Sequence, residues 1–261
     1  MVSPVPASGF VVHRLDETDS TNDWALAAAR DGAPDRTVVV ADFQHRGRGR
    51  LDRRWEAPPS SALLCTVLLR PVLDVGDRHL CAVAVALAAR AACHDVAALD
   101  VGLKWPNDLV VGDRKLGGIL AETDGRVDED GAAVVVVGLG LNLTWPGPPD
   151  ADGTSILDAT GIAVPRDVLL AAYLDALGVH ERRLRMAQGR TALAREYRAR
   201  LVTLGRRVSV QLHDGAFDGT ALDVTDQGHL VVSTREGSRT VAAGDVVHLR
   251  AAAGGAAGTP E

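Results

Sequence analysis

The run Ala62-Leu63-Leu64-Cys65-Thr66-Val67-Leu68-Leu69 constrains the fold most. It shows no polar alternation and is short enough for a strand, so it reads as a central strand buried in a sheet. Val38 to Ala41 and Ala132 to Val137 read as further buried strands, and Val11 to Leu15 as a short one. Asp77 to Ala98, rich in alanine and leucine at helical spacing, reads as a core helix. Trp24 to Arg30 is a shorter helix, preceded by several N-cap candidates between Asp16 and Asn22. Pro165 primes a helix over 166–186, and another is expected near 191–201. With 261 residues and 46% hydrophobic content, the chain holds one large domain or two.

Beyond Leu204 the period changes. Arg207 to His213, Ala216 to Val224, His229 to Thr234 and Arg239 to Ala243 are short alternating runs separated by Asp-Gly, Gln-Gly and Glu-Gly turns. They predict an antiparallel barrel of roughly 50 residues, closed by Val246 to Arg250. The boundaries so read are 1–203, 204–250 and a disordered Ala/Gly tail at 251–261.

Several function classes are disfavoured. A net charge of −6 opposes nucleic-acid binding by the chain as a whole, and its basic character is local, which suits a small anionic ligand. The longest helical apolar run, Leu80 to Ala89, falls short of the roughly 20 residues of a membrane span. Met1 to Phe10 lacks the pattern of a secretion signal. Cys65, Cys81 and Cys93 have no paired spacing and sit among apolar residues, as reduced thiols in a cytoplasm do.

The chemistry is concentrated in a few segments. From Gln44 to Arg54 there are five arginines and two glycines, directly after an apolar strand. Glycine lets the backbone approach a ligand, and guanidinium forks suit phosphate oxygens. A solvated surface loop has the same composition, so this segment alone leaves the choice open. Lys104-Trp105-Pro106-Asn107-Asp108 reads as a bend between two extended pieces, because Pro106 breaks a central strand. Gly112 to Arg114 is a turn, after which Lys115 opens a strand beside Gly117 and Gly118. Asp124 to Gly131 reads as a hairpin tip. Gly138-Leu139-Gly140-Leu141-Asn142 ends a strand without the third glycine of a dinucleotide fingerprint; a bulge and a ligand against the backbone both fit it.

Taken together and in order, Asp19-Ser20-Thr21-Asn22, Gln44 through Gly47-Arg48-Gly49-Arg50 to Trp55, Lys104 to Asp108, Arg114 to Leu120 and Gly138 to Asn142 resemble the bacterial biotin protein ligases. The resemblance implies an α+β fold: a catalytic domain like that of class II aminoacyl-tRNA synthetases, a mixed sheet flanked by helices, followed by a small SH3-like β-barrel. It implies that biotin and MgATP give biotinyl-5′-AMP, and that a lysine of a biotin carboxyl carrier protein or domain then attacks it. On the matching positions, Ser20, Thr21, Asn22, Gln44, Gly47, Gly49 and Gly118 are implied at biotin. Lys104, Trp105, Asn107, Asn142 and, more loosely, Arg250 are implied at ATP, with Asn142 at the adenine. Arg48, Arg50 and Lys115 are implied at both substrates, and with Asp108 they form the catalytic set. No metal site of the protein's own is expected, magnesium arriving on the ATP phosphates. A monomer or weak homodimer, without membrane or nucleic-acid partners, is expected.

Two departures stand out. Many family members read Gly-Arg-Gly-Arg-x-Gly-Arg where this chain has Leu51-Asp52-Arg53, so Asp52 replaces a glycine; Arg46 adds a charge where a small residue is usual. Ten residues before Val11 hold no helix-turn-helix, so no operator binding is expected. A lipoate or octanoate ligase, and a ligand sensor without turnover, are the rival readings; the Gly-Arg-Gly-Arg loop argues against the first, and the presence of Arg48 and Lys115 against the second.

Overall fold

The computed structural model describes residues 9–249 except 129, 150, 214 and 243. The expectations for Arg250 and for the tail from Ala251 fall outside the described residues. In chain order the first strands are β1 (Val11–Thr18), β2 (Thr37–Gln44), β3 (Ala62–Leu69), β4 (Gly102–Lys104), β5 (Asp108–Val111), β6 (Arg114–Val127) and β7 (Ala133–Asn142). They make one sheet in the order β1-β2-β3-β7-β6-β5-β4, parallel only between β1 and β2. The sheet is therefore mixed, with the expected central run as β3, all of it buried.

The helices are α1 (Thr21–Arg30), α2 (Leu80–Ala97), α3 (Ile156–Thr160), α4 (Arg166–Leu184) and α5 (Ala187–Arg200). Strand periodicity sorts the side chains onto two faces. Val38, Val40, Leu63, Cys65, Val67, Val135 and Val137 join α2 and α4 in the main core. Val39, Leu68, Val134 and Val136 face the other way and pack on Ala25 and Ala29 of α1. Each such buried valine or leucine contributes roughly 1.5–3 kcal/mol, so both faces are strongly held.

Because α1 is short, it covers only part of its face. The next positions on that face are Leu64 and Thr66 of β3, paired with Gly140 and Gly138 of β7. They lie at the N-terminal end of α1 and form the floor of the site described below.

Some sequence expectations are corrected. Helix α1 starts at Thr21 rather than Trp24, because Ser20 is the cap that receives the Asp23 N–H. Strand β6 continues through Val127, where a tip was expected from Asp124. The short α3, capped by Ser155, was not foreseen; five residues carry too little periodicity to reveal a helix. The helical unit Val75–Ala97, which includes a 3-10 turn, is long and apolar enough to cross a membrane, contrary to the sequence reading. Its most apolar window is 67% buried, and it packs on α4, β6 and β7, so the core accounts for that composition. The three cysteines are buried free thiols, and burial pushes each up to about 12.

After α5 the chain returns to the sheet, with the Val202 N–H on the Leu103 carbonyl. The last five strands are β8 (Arg207–Leu212), β9 (Gly215–Val224), β10 (Leu230–Thr234), β11 (Gly237–Val241) and β12 (Asp245–His248). They form an antiparallel sheet in the order β11-β10-β9-β8-β12, close to the runs read from the sequence. The indole N–H of Trp105 donates to the Gly228 carbonyl at 2.9 Å, fastening this module to the turn between β4 and β5.

Candidate active site

Four glycines shape the floor. A Cβ on Gly138 would lie 2.3 Å from Asn22 Oδ1, and one on Gly140 would lie 2.5 Å from Trp55 Cε2. Gly118, paired with Gly140 across β6 and β7, passes beneath both Trp55 and Lys115, and Gly117 faces the Gly140 carbonyl. The glycines of β7 are thus seats for two side chains from elsewhere in the chain. No register shift marks a bulge at them, and they also line the cavity.

At the start of α1, Thr21 gives both its N–H (2.8 Å) and its hydroxyl (3.0 Å) to Gln44 Oε1. The wholly buried Thr66 hydroxyl lies 2.8 Å from Thr21 Oγ1 and 2.7 Å from Asn22 Oδ1. Asn22 Nδ2 donates to the Leu120 carbonyl (3.1 Å) and to Glu122 Oε2 (2.7 Å). A hydrogen-bonded chain therefore runs from Gln44 to Glu122 under the pocket.

The arginine segment is a hairpin. Arg48 and Arg54 form an antiparallel bridge, the Gly49 N–H reaches the Arg53 carbonyl (2.7 Å), and the Trp55 N–H reaches Gly47 (2.9 Å). At its tip Leu51 and Asp52 both take positive φ, 54° and 57°. Asp52 thus occupies a left-handed conformation at the position where a glycine was expected, one that aspartate tolerates better than most residues. Arg48 Nη2 lies 2.6 Å from Asp23 Oδ1 and 2.9 Å from Glu122 Oε2. Arg50 donates to the Gly244 carbonyl (3.2 Å) and lies 3.9 Å from Asp245, which also pairs with Arg53. Burial lowers the Arg50 guanidinium from its ordinary value, with Asp245 and Asp108 opposing the shift.

Across the pocket, Lys115 Nζ is 2.6 Å from Asp108 Oδ1 and 5.7 Å from the Trp55 ring centroid. The Asn107 carboxamide is fixed on the Ile119 carbonyl at 2.8 Å. These groups enclose a cavity of about 270 Å³. Its lining carries six basic side chains (Arg48, Arg50, Arg53, Arg54, Lys104, Lys115) against two acidic ones (Asp108, Asp245), an excess of four positive charges suited to a polyanion. Trp55 Nε1 is buried against Gly140 and meets no acceptor among the described residues.

All the sequence-derived site residues within the described range line this cavity except Gly47 and Asn142. Gly47 is a structural contact: a Cβ there would lie 2.3 Å from the Trp55 carbonyl. Asn142 is 4% exposed and donates to the carbonyls of Pro146 (3.2 Å) and Thr154 (3.0 Å), so it braces the loop after β7. That loop carries Trp145, which with Trp55 walls a slot of about 330 Å³ beside the main cavity. Thr66, Asp23, Glu122 and Asp245 were not singled out from the sequence. Thr66, Glu122 and Asp245 sit in ordinary strand runs that meet only in the fold, and Asp23 lies in the first turn of α1.

Residues 15–142 match the Biotin/lipoate A/B protein ligase family, and residues 203–249 the Biotin protein ligase C terminal domain. A Mycobacterium tuberculosis relative, biotin--[acetyl-CoA-carboxylase] ligase, is 40% identical over 244 residues, 90% of this chain and 87% of that protein. The chain belongs to the biotin protein ligase family. Among other family members, the bifunctional ligase/repressor BirA of Bacillus subtilis is 28% identical over 88% of this chain and 72% of its own. Biotin protein ligase from Aquifex aeolicus, solved in complex with biotin and ATP, has the same fold, with a TM-score of 0.77 over 92% of this chain and 99% of that one at 23% identity. A Leishmania major biotin protein ligase in complex with biotin aligns with a TM-score of 0.62 at 25% identity, over 92% of this chain and 98% of that one.

Proposed function

We propose that the protein is an ATP-dependent biotin protein ligase. It activates biotin as biotinyl-5′-AMP and transfers it to a lysine of a carboxyl carrier protein or domain. The observation that carries this reading is the cavity itself, where a row of short polar groups at the start of α1 meets a cluster of cations. Biotin's ureido group takes the polar end, at Ser20, Thr21 and Gln44, and its rings lie over the glycine floor and Trp55. The carboxylate and the triphosphate take the cationic end, at Arg48, Arg50, Lys104 and Lys115.

In the first step a carboxylate oxygen attacks the α-phosphorus and pyrophosphate leaves. Both reactants are anionic, so neutralising charge and holding geometry are the protein's main contributions. Lys115 and Arg50 sit where that charge gathers. Magnesium would enter on the ATP phosphates, where it adds positive charge at the transferring phosphoryl group. The adenine takes the slot between Trp55 and Trp145 by ring stacking, and Asn142 braces the loop that carries Trp145.

In the second step the neutral acceptor amine attacks the biotinyl carbonyl carbon and AMP leaves. A second cavity, about 590 Å³, shares Arg50, Lys104 and Asp108 with the first and opens between α2 and the β9–β10 turn. It gives the acceptor lysine an approach that the nucleotide does not block, and Asp108 stands at the junction to receive its proton.

Pyrophosphate exchange into ATP, run with biotin, with lipoate and with neither, tests the reading. Exchange with biotin alone supports it; exchange with lipoate moves the chain to a lipoate ligase, and binding without exchange to a sensor.

A further inference from the structure

Two carboxylates hold Arg48, and they differ in kind. Asp23 is exposed at 54% of its side chain, whereas Glu122 is exposed at 25%. The Glu122 oxygen that meets Arg48 also receives the Asn22 amide at 2.7 Å. Asn22 in turn is buried, held by the Leu120 carbonyl and Thr66, and pressed against Gly138. Glu122 is therefore anchored to an immobile amide, and Asp23 is not. Both carboxylates contact Nη2 of Arg48, which leaves the separate Nε and Nη1 donors for a ligand.

We infer that Glu122 is a positioning residue for this reaction, fixing the Arg48 guanidinium so that its remaining donors, on Nε and Nη1, meet the substrate anions. The inference rests on the function proposed above for Arg48. Glu122 does not touch substrate; it holds a fork by one prong. The same carboxylate is continuous with Gln44 through Asn22, Thr66 and Thr21, so the polar end of the pocket and its clamp share one rigid frame. A preset guanidinium loses less freedom on meeting an anion than a mobile one does.

Glu122→Gln keeps an oxygen for Asn22 and removes the charge on Arg48. In that variant exchange kcat is expected to fall about tenfold while KM for biotin stays within about threefold. Added to Arg48→Ala, the same substitution is expected to lower kcat by less than about twofold, because Glu122 acts through Arg48. Multiplicative losses in the double variant, or wild-type kcat in Glu122→Gln, overturn the assignment.

Trypsin cleavage after Arg48 in the ligand-free protein reads the anchor without any substrate. Cleavage at least about fivefold faster in Glu122→Gln supports it, local opening being the step that exposes the bond; equal rates overturn it. If the anchor is seen but wild-type protein shows no biotin-dependent exchange, the proposed function fails and the Glu122–Arg48 contact stands. Should Glu122→Gln not fold, Arg48→Lys decides with Glu122 intact. A carboxylate does not fix the orientation of an ammonium on a flexible stem as it fixes a planar guanidinium, so kcat near wild type in that variant overturns the inference.

Discussion

Lys115 and Asp108 face each other at 2.6 Å across neighbouring strands, with the Trp55 ring 5.7 Å from the ammonium. The carboxylate holds the ammonium at the cavity wall until an anion arrives, and the indole face confines it on another side. Lys115→Ala is expected to reduce biotin-dependent pyrophosphate exchange by about a hundredfold, the order of loss for a group that meets developing charge. Its unfolding temperature should stay close to wild type, because the side chain is 41% exposed. Exchange at the wild-type rate in a folded Lys115→Ala protein removes this residue from the mechanism.

Asp245 joins the C-terminal module to the arginine hairpin. It pairs with Arg53 and stands 3.9 Å from Arg50, whose guanidinium also bonds the neighbouring Gly244 carbonyl. Asp245→Asn is therefore expected to raise KM for ATP about tenfold, as loss of a charge-assisted contact does, while leaving biotin affinity nearly unchanged. Calorimetry with biotin alone, set beside ATP-dependent exchange, separates the two. A parallel loss of biotin affinity would show that Asp245 supports the whole pocket.

Much of this was legible in the sequence, for reasons that differ by element. β3 was readable because eight unbroken buried positions have few alternatives, and the C-terminal strands because their turns are marked by glycine. The arginine hairpin, Lys104 to Asp108 and Lys115 were found through residue type and order. Glu122 was not: it ends a strand run and gains meaning only when α1 lays Asn22 against β6. Asn142 is implied at the adenine only by the resemblance; the fold shows its Nδ2 tied to two loop carbonyls, a role its sequence position does not reveal.

The glycine seats give a stability prediction. Gly140→Ala places a methyl where Trp55 Cε2 would be 2.5 Å away, and the ring cannot retreat without leaving Ala57, Ala62 and Leu64. The overpacking is expected to cost about 1–3 kcal/mol. For a chain of this size that lowers the unfolding temperature by roughly 2–4 °C per kcal/mol, measured by calorimetry. Biotin affinity should fall as well, because Trp55 is also a pocket wall. An unchanged melting temperature with unchanged affinity would mean that the indole does not occupy this seat.

His248 supplies a pH dependence at the seam between the module and the sheet. Burial, then the charges of Lys104 and Arg206, bring its imidazole down to about 4, with Asp113 opposing them; its ring nitrogens lie 3.3 Å from Thr203 Oγ1 and Arg206 Nη1. An unfolded histidine titrates near ~6.5, so below that pH the unfolded chain takes up the proton first. The stability contributed by a neutral His248 is thus complete above about pH 6.5 and declines as the pH falls toward about 4. His248→Gln keeps a hydrogen-bonding side chain but cannot titrate. Between pH 7 and pH 5 its unfolding temperature is expected to fall less than that of the wild type, carboxylate effects being common to both (pH values ~7 and ~5 bracket the histidine step). Melting curves that shift in parallel across that range would show that His248 is protonated as readily in the folded chain as in the unfolded one.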